Sequence, residues 1–295
     1  MRVVLAGASG LIGSGLKAAL QRSGHEVLVL VRHPTSRPDE DSWDPAAGRV
    51  DPAFLARADA VICLSGVGVG DHRWTADFKR QILDSRVQTV GTLARSLAEH
   101  GGPRVLLAAS AVGIYGDRGD ERLDEAASPG TGFLAELCQQ WEAAADPARE
   151  AGVRVAHLRT GLVLTGDGGL LKRLKPIIQT GGAGKLGNGK QFMPWISLND
   201  ELRAIEYLLT TDISGPVNLT APEPARNVEF TKTLGRILHR PTVVPAPGFA
   251  LKLVLGEFGG EALASQRAVP SALLASGFTF DDTDLEAALR VALGR

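Results

Sequence analysis

The most constraining feature of this chain is the order in which glycine recurs near its start. The stretch Ala6-Gly7-Ala8-Ser9-Gly10-Leu11-Ile12-Gly13 follows the apolar run Arg2–Ala6 directly and opens a segment of helical period. In a strand-turn-helix the three glycines do different jobs. Gly7 allows a tight turn, Gly10 lets the backbone approach a bulky anion with no Cβ in the way, and Gly13 lets the helix lie close to the sheet. The helix start then presents free N–H groups and a partial positive charge, which suits a diphosphate. Gly7, Ser9, Gly10, Leu11, Ile12 and Gly13 are therefore the expected dinucleotide-binding set.

The rest of the chain supplies the sheet that such a turn requires. Short β-branched and leucine-rich runs at Arg2–Ala6, Glu26–Val31 and residues 60–64, 104–109 and 154–158 alternate with longer helical segments. That alternation predicts an α/β fold, a doubly wound parallel sheet covered on both faces. In the first helix Ile12, Leu16, Ala19 and Leu20 share a face, and Gly24 stands where a left-handed C-terminal cap is usual. Further helices are expected over residues 75–99 and 133–149, the latter from the spacing of Phe133, Leu137, Trp141, Ala144 and Ala148. After Arg159 come glycine-rich stretches at 166–169 and 181–189, a helix expected over 200–210, and short elements punctuated by proline. The expected division is a Rossmann domain of residues 1–165 with 200–220, and a smaller α+β lobe on the substrate side from 166–199 and 221–295.

Composition narrows the partners. The 295 residues are 44% hydrophobic and 22% charged, and 32 basic side chains nearly balance 33 acidic ones, for a net charge of -1. No field gathers nucleic acid or acidic membrane, and no apolar run reaches the roughly 18 residues of a membrane span. Cys63 and Cys138 lack the spacing of a zinc site or disulfide framework, and the six histidines form no metal set. A cytoplasmic protein that enters its first strand without a leader is expected, with a small-molecule substrate and no metal.

The residues after the second run bear on which dinucleotide fits. An NAD-selective site usually places an acid there for the ribose hydroxyls, whereas this chain has Arg32-His33-Pro34. A planar guanidinium suits a 2′-phosphate through charge-assisted hydrogen bonds. NADP(H) is the preferred cofactor and NAD(H) remains possible.

Further motifs follow in order: Arg73-Trp74-Thr75 with Lys79 and Ser85-Arg86-Val87, Ser110-Ala111-Val112-Gly113-Ile114-Tyr115-Gly116, Phe133-Leu134-Ala135-Glu136 with Trp141-Glu142, and Leu158-Arg159-Thr160-Gly161. Later come Pro194-Trp195-Ile196 with Asp200, then Asn218-Leu219-Thr220-Ala221-Pro222-Glu223-Pro224 and Phe230. With the glycine turn, these make the chain resemble the extended and atypical short-chain dehydrogenase/reductases. More narrowly it resembles the NAD(P)-dependent epimerase family that includes proteins labelled cell-division inhibitor-like, over nearly its whole length. The resemblance implies an NADP-binding Rossmann domain with a small C-terminal lobe, and no particular reaction. Expected cofactor contacts continue through Leu64, Ser65, Gly66, Ala109, Arg159, Thr160 and Gly161. The wider superfamily's working reductases carry a Tyr-x-x-x-Lys pair on the helix after the fifth strand, where lysine lowers the tyrosine pKa for proton transfer. Here Leu134 and Cys138 stand at those positions, and Tyr115 and Tyr207 are followed four residues on by Gly119 and Thr211. Ser197 and Asn199 replace a histidine and an aspartate common in the narrow family.

Candidate chemistry falls on a few residues. Ser110, at a strand end, has a hydroxyl suited to a substrate carbonyl or the carboxamide, or equally to capping a loop. Tyr115 is a proton donor or, better, a pocket wall, since no lysine lowers its pKa. Glu136 is the acid nearest the vacant pair, a candidate general acid or base where burial raises its pKa, with a solvated helix glutamate as the ordinary alternative. Arg86 is placed to meet an anion in the cleft or an acidic neighbour, and Gln191 and Trp195 to line a substrate pocket under the 181–189 loop, which could close over it, with Trp195 as stacking wall or core. Cys138 reads as a packed thiol, and the segment 197–200 as a helix cap. Three functions are compatible: an NADP(H)-dependent oxidoreductase acting on a small molecule, a non-catalytic NADPH sensor, and a nucleotide-sugar epimerase or dehydratase.

Overall fold

A computed structural model describes residues 1–179, 184–249, 253 and 256–295. The strands of its main sheet are mostly runs of branched apolar residues, too short for a helix and largely buried, the exception being the polar edge run at 40–42. These are β1 (Arg2–Ala6), β2 (Glu26–Val31), β3 (Glu40–Ser42), β4 (Ala60–Cys63), β5 (Val105–Ala111), β7 (Arg154–Thr160) and β11 (Gly215–Leu219). Their order is β11-β7-β5-β4-β1-β2-β3. β1 pairs in parallel with β2, Val3 opposite Val27, and with β4, Val3 opposite Ala60; β2 with β3 and β4 with β5 are parallel too. Chain order reverses beside β1, and ligands of open α/β sheets bind outside the carboxyl ends at such a point. The chain has a Rossmann-like α/β fold.

Helix α1 (Leu11–Arg22) ends as expected: Gly24 lies at φ +83, and the amides of Gly24 and His25 donate to Gln21 and Leu20 at 3.1 and 2.9 Å. Helix α3 (Ala76–His100) begins where Thr75 Oγ1 accepts the Phe78 amide at 3.1 Å, matching the 75–99 expectation within a residue. The continuous helix expected over 133–149 is instead two, α4 (Phe133–Ala143) and α5 (Asp146–Glu150). Pro147 is the cause. It has no amide to donate, and its ring would collide with the Ala143 carbonyl in an unbroken helix, so the chain restarts with proline in the first turn.

The chain forms two compact units: Met1–Ser110, Leu137–Leu158 and Leu202–Val217 make the first, and Ala111–Glu136, Arg159–Glu201 and Asn218–Arg295 the second. The expected boundaries grouped residues 111–136, 159–165, 200–201 and 218–220 with the first domain, and this division groups them with the second. Each unit has its own core. Val4, Leu28, Val61, Leu93, Leu106 and Trp141 pack in the first, and Leu164, Trp195, Phe230, Leu234 and Leu289 in the second. The second unit also carries α6 (Gly169–Gln179), α8 (Asn227–Ile237) and the short strands β6 (Arg122–Leu123), β8 (Leu162–Leu164), β9 (Phe192–Met193) and β10 (Trp195–Ser197), whereas α7 (Leu198–Leu208) starts in the second unit and belongs to the first from Leu202 on. No helix among the described residues is long and apolar enough to cross a membrane.

Candidate cofactor site and its polar neighbours

The turn after β1 is built from backbone. Gly7 lies at φ +91, and a Cβ there would stand 2.8 Å from the Leu64 carbonyl carbon, so the turn presses on the segment leaving β4. A Cβ on Gly13 would overlap the Gly7 carbonyl oxygen, which is why α1 approaches so closely. Gly10, the residue before α1, makes no side-chain cap, and the first turn of α1 holds no acid. Ser9, Gly10 and Leu11 are exposed. The result is a helix start whose amides are left for an anion, a cradle that a diphosphate fits.

At the end of β2, Arg32 is exposed and has no ion-pair partner among the described residues. It opens onto a cavity of about 1140 Å³ lined also by Trp43, Val67, Gln81, Ser85 and Gln88. The residues after β4 lie beside the glycine turn: Leu64 and Ser65 are half-buried and Gly66 is exposed. Against Gly66 packs Arg86 of α3, whose Cζ would be 3.2 Å from a Cβ built there and lies 4.9 Å from the centre of a Trp141 ring.

At the end of β5 the alternation of side chains decides what Ser110 does. Ala109 and Ala111 take the more open side, and Ser110, 3% exposed, takes the other, where its Oγ donates to Glu142 Oε1 of α4 at 2.7 Å. Glu142, one turn beyond Cys138, is half-buried. Glu136, the expected acid, is exposed; it lies two residues from Leu134, about 200° round the helix from the face that carries Leu134, Cys138 and Glu142. Cys63, fully buried in β4, has its thiol pushed up to about 11 by burial, and Cys138 is 1% exposed; both are packed thiols.

The second unit holds a different kind of polar cluster. Tyr115, wholly buried, donates its hydroxyl to Asn218 Oδ1 at 2.7 Å and accepts from Arg159 Nη1 at 3.0 Å, and the Arg159 guanidinium lies 5.3 Å from its ring centre. Asn218 Nδ2 donates to the Val269 carbonyl at 2.9 Å, and its amide donates to Glu125 Oε1 at 3.1 Å. Burial raises the Tyr115 pKa despite the neighbouring cation, so the phenol is neutral. Arg159, expected beside the cofactor, contacts the Tyr115 hydroxyl. Thr160 Oγ1 donates to Glu201 Oε1 at 2.9 Å. Gly161 is needed where a Cβ would stand 2.5 Å from the Pro194 carbonyl oxygen.

Of the two readings of Trp195, stacking wall and core, the structure shows the core. It is 1% exposed in the second core and donates its indole N–H to the Glu223 carbonyl at 3.1 Å. Gln191 is buried too, with Nε2 donating to the Leu186 carbonyl at 3.1 Å. Residues 181–183 of the expected closing loop lie outside the described residues. The cap read at 197–200 is present, Ser197 Oγ accepting the Asp200 amide at 3.1 Å.

With this geometry in place, likeness to known proteins decides the family. A model of the NAD dependent epimerase/dehydratase family matches residues 3–219. The chain belongs to that family. A second model, described as a domain of unknown function (DUF1731), matches residues 246–292. An epimerase family protein of Mycobacterium bovis, Mb2239, is 45% identical, the match covering 99% of this chain and 98% of that protein. The crystal structure of human epimerase family protein SDR39U1 (isoform2) with NADPH superposes with a TM-score of 0.89 at 29% identity, covering 100% of this chain and 99% of that one. A Corynebacterium glutamicum protein described as a nucleoside-diphosphate sugar epimerase is 38% identical with a TM-score of 0.83, and this chain spans 58% of its length.

For this epimerase-family chain, sequence reasoning missed Glu142 and Glu201. A signal for Glu142 was present, since positions 134, 138 and 142 share one face of a helix. Glu201 is 0% exposed, and burial pushes its carboxyl up to about 8 while Thr160 pulls weakly the other way; its Oε2 has no partner. Only the fold shows that the start of α7 is buried there.

Proposed function

We propose that this chain is an NADP(H)-dependent oxidoreductase of the epimerase/dehydratase family that acts on a small carbonyl or alcohol. The observation that carries the reading is the uncapped start of α1 behind Gly7 and Gly10, with Arg32 at the end of β2 free to meet a 2′-phosphate. The human relative solved with NADPH supports the same choice of dinucleotide. When bound, the cofactor supplies or takes up the hydride. The chain's own part is binding, orientation and proton handling: amides of the α1 start hold the diphosphate, and Arg32 holds the extra phosphate on the adenosine ribose. Glu142 is the carboxylate assigned to proton transfer in place of the absent tyrosine and lysine, and Ser110 is a positioning residue that fixes its Oε1.

The test is a carbonyl library offered to the NADPH-loaded protein, with oxidation followed at the nicotinamide absorbance. Turnover that falls by about a hundredfold in Glu142→Gln with NADPH affinity unchanged is expected; turnover indifferent to Glu142 removes it from the chemistry. In parallel, Arg32→Ala should weaken NADPH about tenfold or more and leave NADH nearly unaffected. A second reading, nucleotide-sugar epimerisation, draws on the Corynebacterium protein's description. Tight retention of a sugar nucleotide by the loaded protein, with no net oxidation, would favour it.

A further inference from the structure

Three segments of the second unit meet at Ser265, and together they gather arginines. Ser265, 6% exposed, donates its Oγ to the Gly119 carbonyl and its amide to Asp117 Oδ1, and it accepts the Phe192 amide on Oγ and the Arg118 amide on its carbonyl, both at 3.0 Å. The Gln266 amide in turn donates to the Phe192 carbonyl at 3.3 Å. These bonds hold the turn at residues 117–120, strand β9 and strand β13 (Arg267–Ala268) together, with Arg267 Cζ 5.2 Å from the Phe192 ring centre. Strand β12 (Ala225–Arg226) pairs antiparallel with β9, Arg226 opposite Phe192, and puts a second guanidinium 4.2 Å from that ring. A third arginine comes from β6, which pairs in parallel with β13, Arg122 opposite Arg267. Residues paired in this way carry their side chains on the same face of the strands.

The acids nearby do not balance these charges. Asp120 is taken by Arg226, whose Nη1 and Nη2 donate to its two carboxyl oxygens at 3.1 Å each, and Glu121 is taken by Arg118. Asp117 accepts the Ser265 amide, and Asp124 Oδ1 accepts the Ala126 amide at 3.1 Å. The side chains of half-buried Arg267, exposed Arg122 and exposed Lys190 have no hydrogen bond or ion pair among the described residues. Asp120 reports how close the cations lie: its carboxyl is held below the ordinary carboxylate range by the Arg226 bond first, and by the charges of Arg267 and Lys190 after it. Like charges on paired strand positions repel, and the Phe192 ring offsets only part of the cost of half-burying a guanidinium. A multiply charged oxyanion set between the two forks turns that repulsion into attraction.

We propose that Arg122 and Arg267, with Lys190, form an anion site on the second unit that takes the phosphate group of a small molecule. A phosphate presents three oxygens and nearly two negative charges, enough for two planar forks at once, whereas a single carboxylate fills only one. The site stands apart from the NADP(H) reading, because every residue in it belongs to the second unit and none to the glycine cradle.

The experiment melts wild type, R122Q and R267Q in sodium phosphate and in sodium chloride of equal ionic strength, and titrates each protein with NADPH. Phosphate should raise the wild-type Tm above its value in chloride, and either variant should need about tenfold more phosphate for the same rise. In chloride R122Q should melt no lower than wild type, since it removes one of two like charges on paired positions. NADPH affinity should be the same in all three. Equal melting of wild type in the two salts overturns the site, and so does a phosphate rise that either variant retains in full, the mark of an anion held elsewhere. An R267Q variant that loses the same number of degrees in both salts makes Arg267 a packing group for Phe192 and overturns it as a ligand. Should R267Q fail to fold, R122Q carries the comparison, because the Arg122 side chain is exposed. Failure of the cofactor reading shows separately, as a wild type that binds no NADPH, and the phosphate melts still decide on Arg122 and Arg267.

Discussion

The first unit's glycine cradle and the second unit's tyrosine cluster are both polar, and they solve opposite problems. Around Gly7, Gly10 and Gly13 side chains are absent, the helix start is uncapped and the donors are unspent. Around Tyr115 every prominent group is matched within the protein: Arg159 to the phenol oxygen, the phenol to Asn218, and Asn218 to the Val269 carbonyl and Glu125. Buried polar groups must find partners, so a closed cluster marks a place where the fold is fixed, and an open one marks a place kept for a ligand. By that criterion the cluster around Tyr115 is closed within the protein, and the cradle and Arg32 are the groups left open for the binding proposed above.

The contrast can be broken at either end. The largest effect is expected from Gly13→Ala, whose Cβ meets the Gly7 carbonyl: NADPH binding should be lost and stability should fall by about 3 kcal/mol, read by titration and urea unfolding. Retained affinity would show that the turn does not need this approach. Next comes Glu201. Its folded pKa is raised to about 8 from the ordinary carboxyl value of 4.5, so the native state keeps a proton that the unfolded chain releases between those values. Its contribution is full below about 4.5 and is lost as pH rises through about 8. Wild type should therefore lose stability steadily across that window, and Glu201→Gln should flatten the curve; an unchanged pH profile in the variant would place the proton elsewhere. The smallest effect is expected from Tyr115→Phe, which strands Asn218 Oδ1 and weakens the hold on Arg159. It should cost about 1–2 kcal/mol in unfolding while NADPH affinity stays put. A drop in affinity at intact stability would move Tyr115 into the site.

What was legible in the chain divides along the same line. Backbone features have local causes: β1 and β2 run over the residues their apolar character marked, Gly24 caps α1, and Thr75 starts α3. Pro147 was equally visible, but the apolar repeat through Ala148 outweighed it, and the helix breaks where proline demands. Pairings between distant residues have no such local cause. Ser110 lies 32 residues from Glu142, and Tyr115 lies 103 from Asn218, so only the fold turns a strand-end hydroxyl toward a helix carboxylate and closes the tyrosine cluster. Trp195 stayed open between two readings for a related reason, because an indole with a polar handle looks the same in a sequence whether it lines a pocket or fills a core.

The central claim is that the α1 start receives a diphosphate. A crystal structure of the chain with NADPH tests it most directly. Diphosphate oxygens about 2.7–3.2 Å from the amides of Leu11 and Ile12, with the 2′-phosphate at Arg32, are expected. A dinucleotide seated away from that turn, or none taken up at saturating concentration, would contradict it.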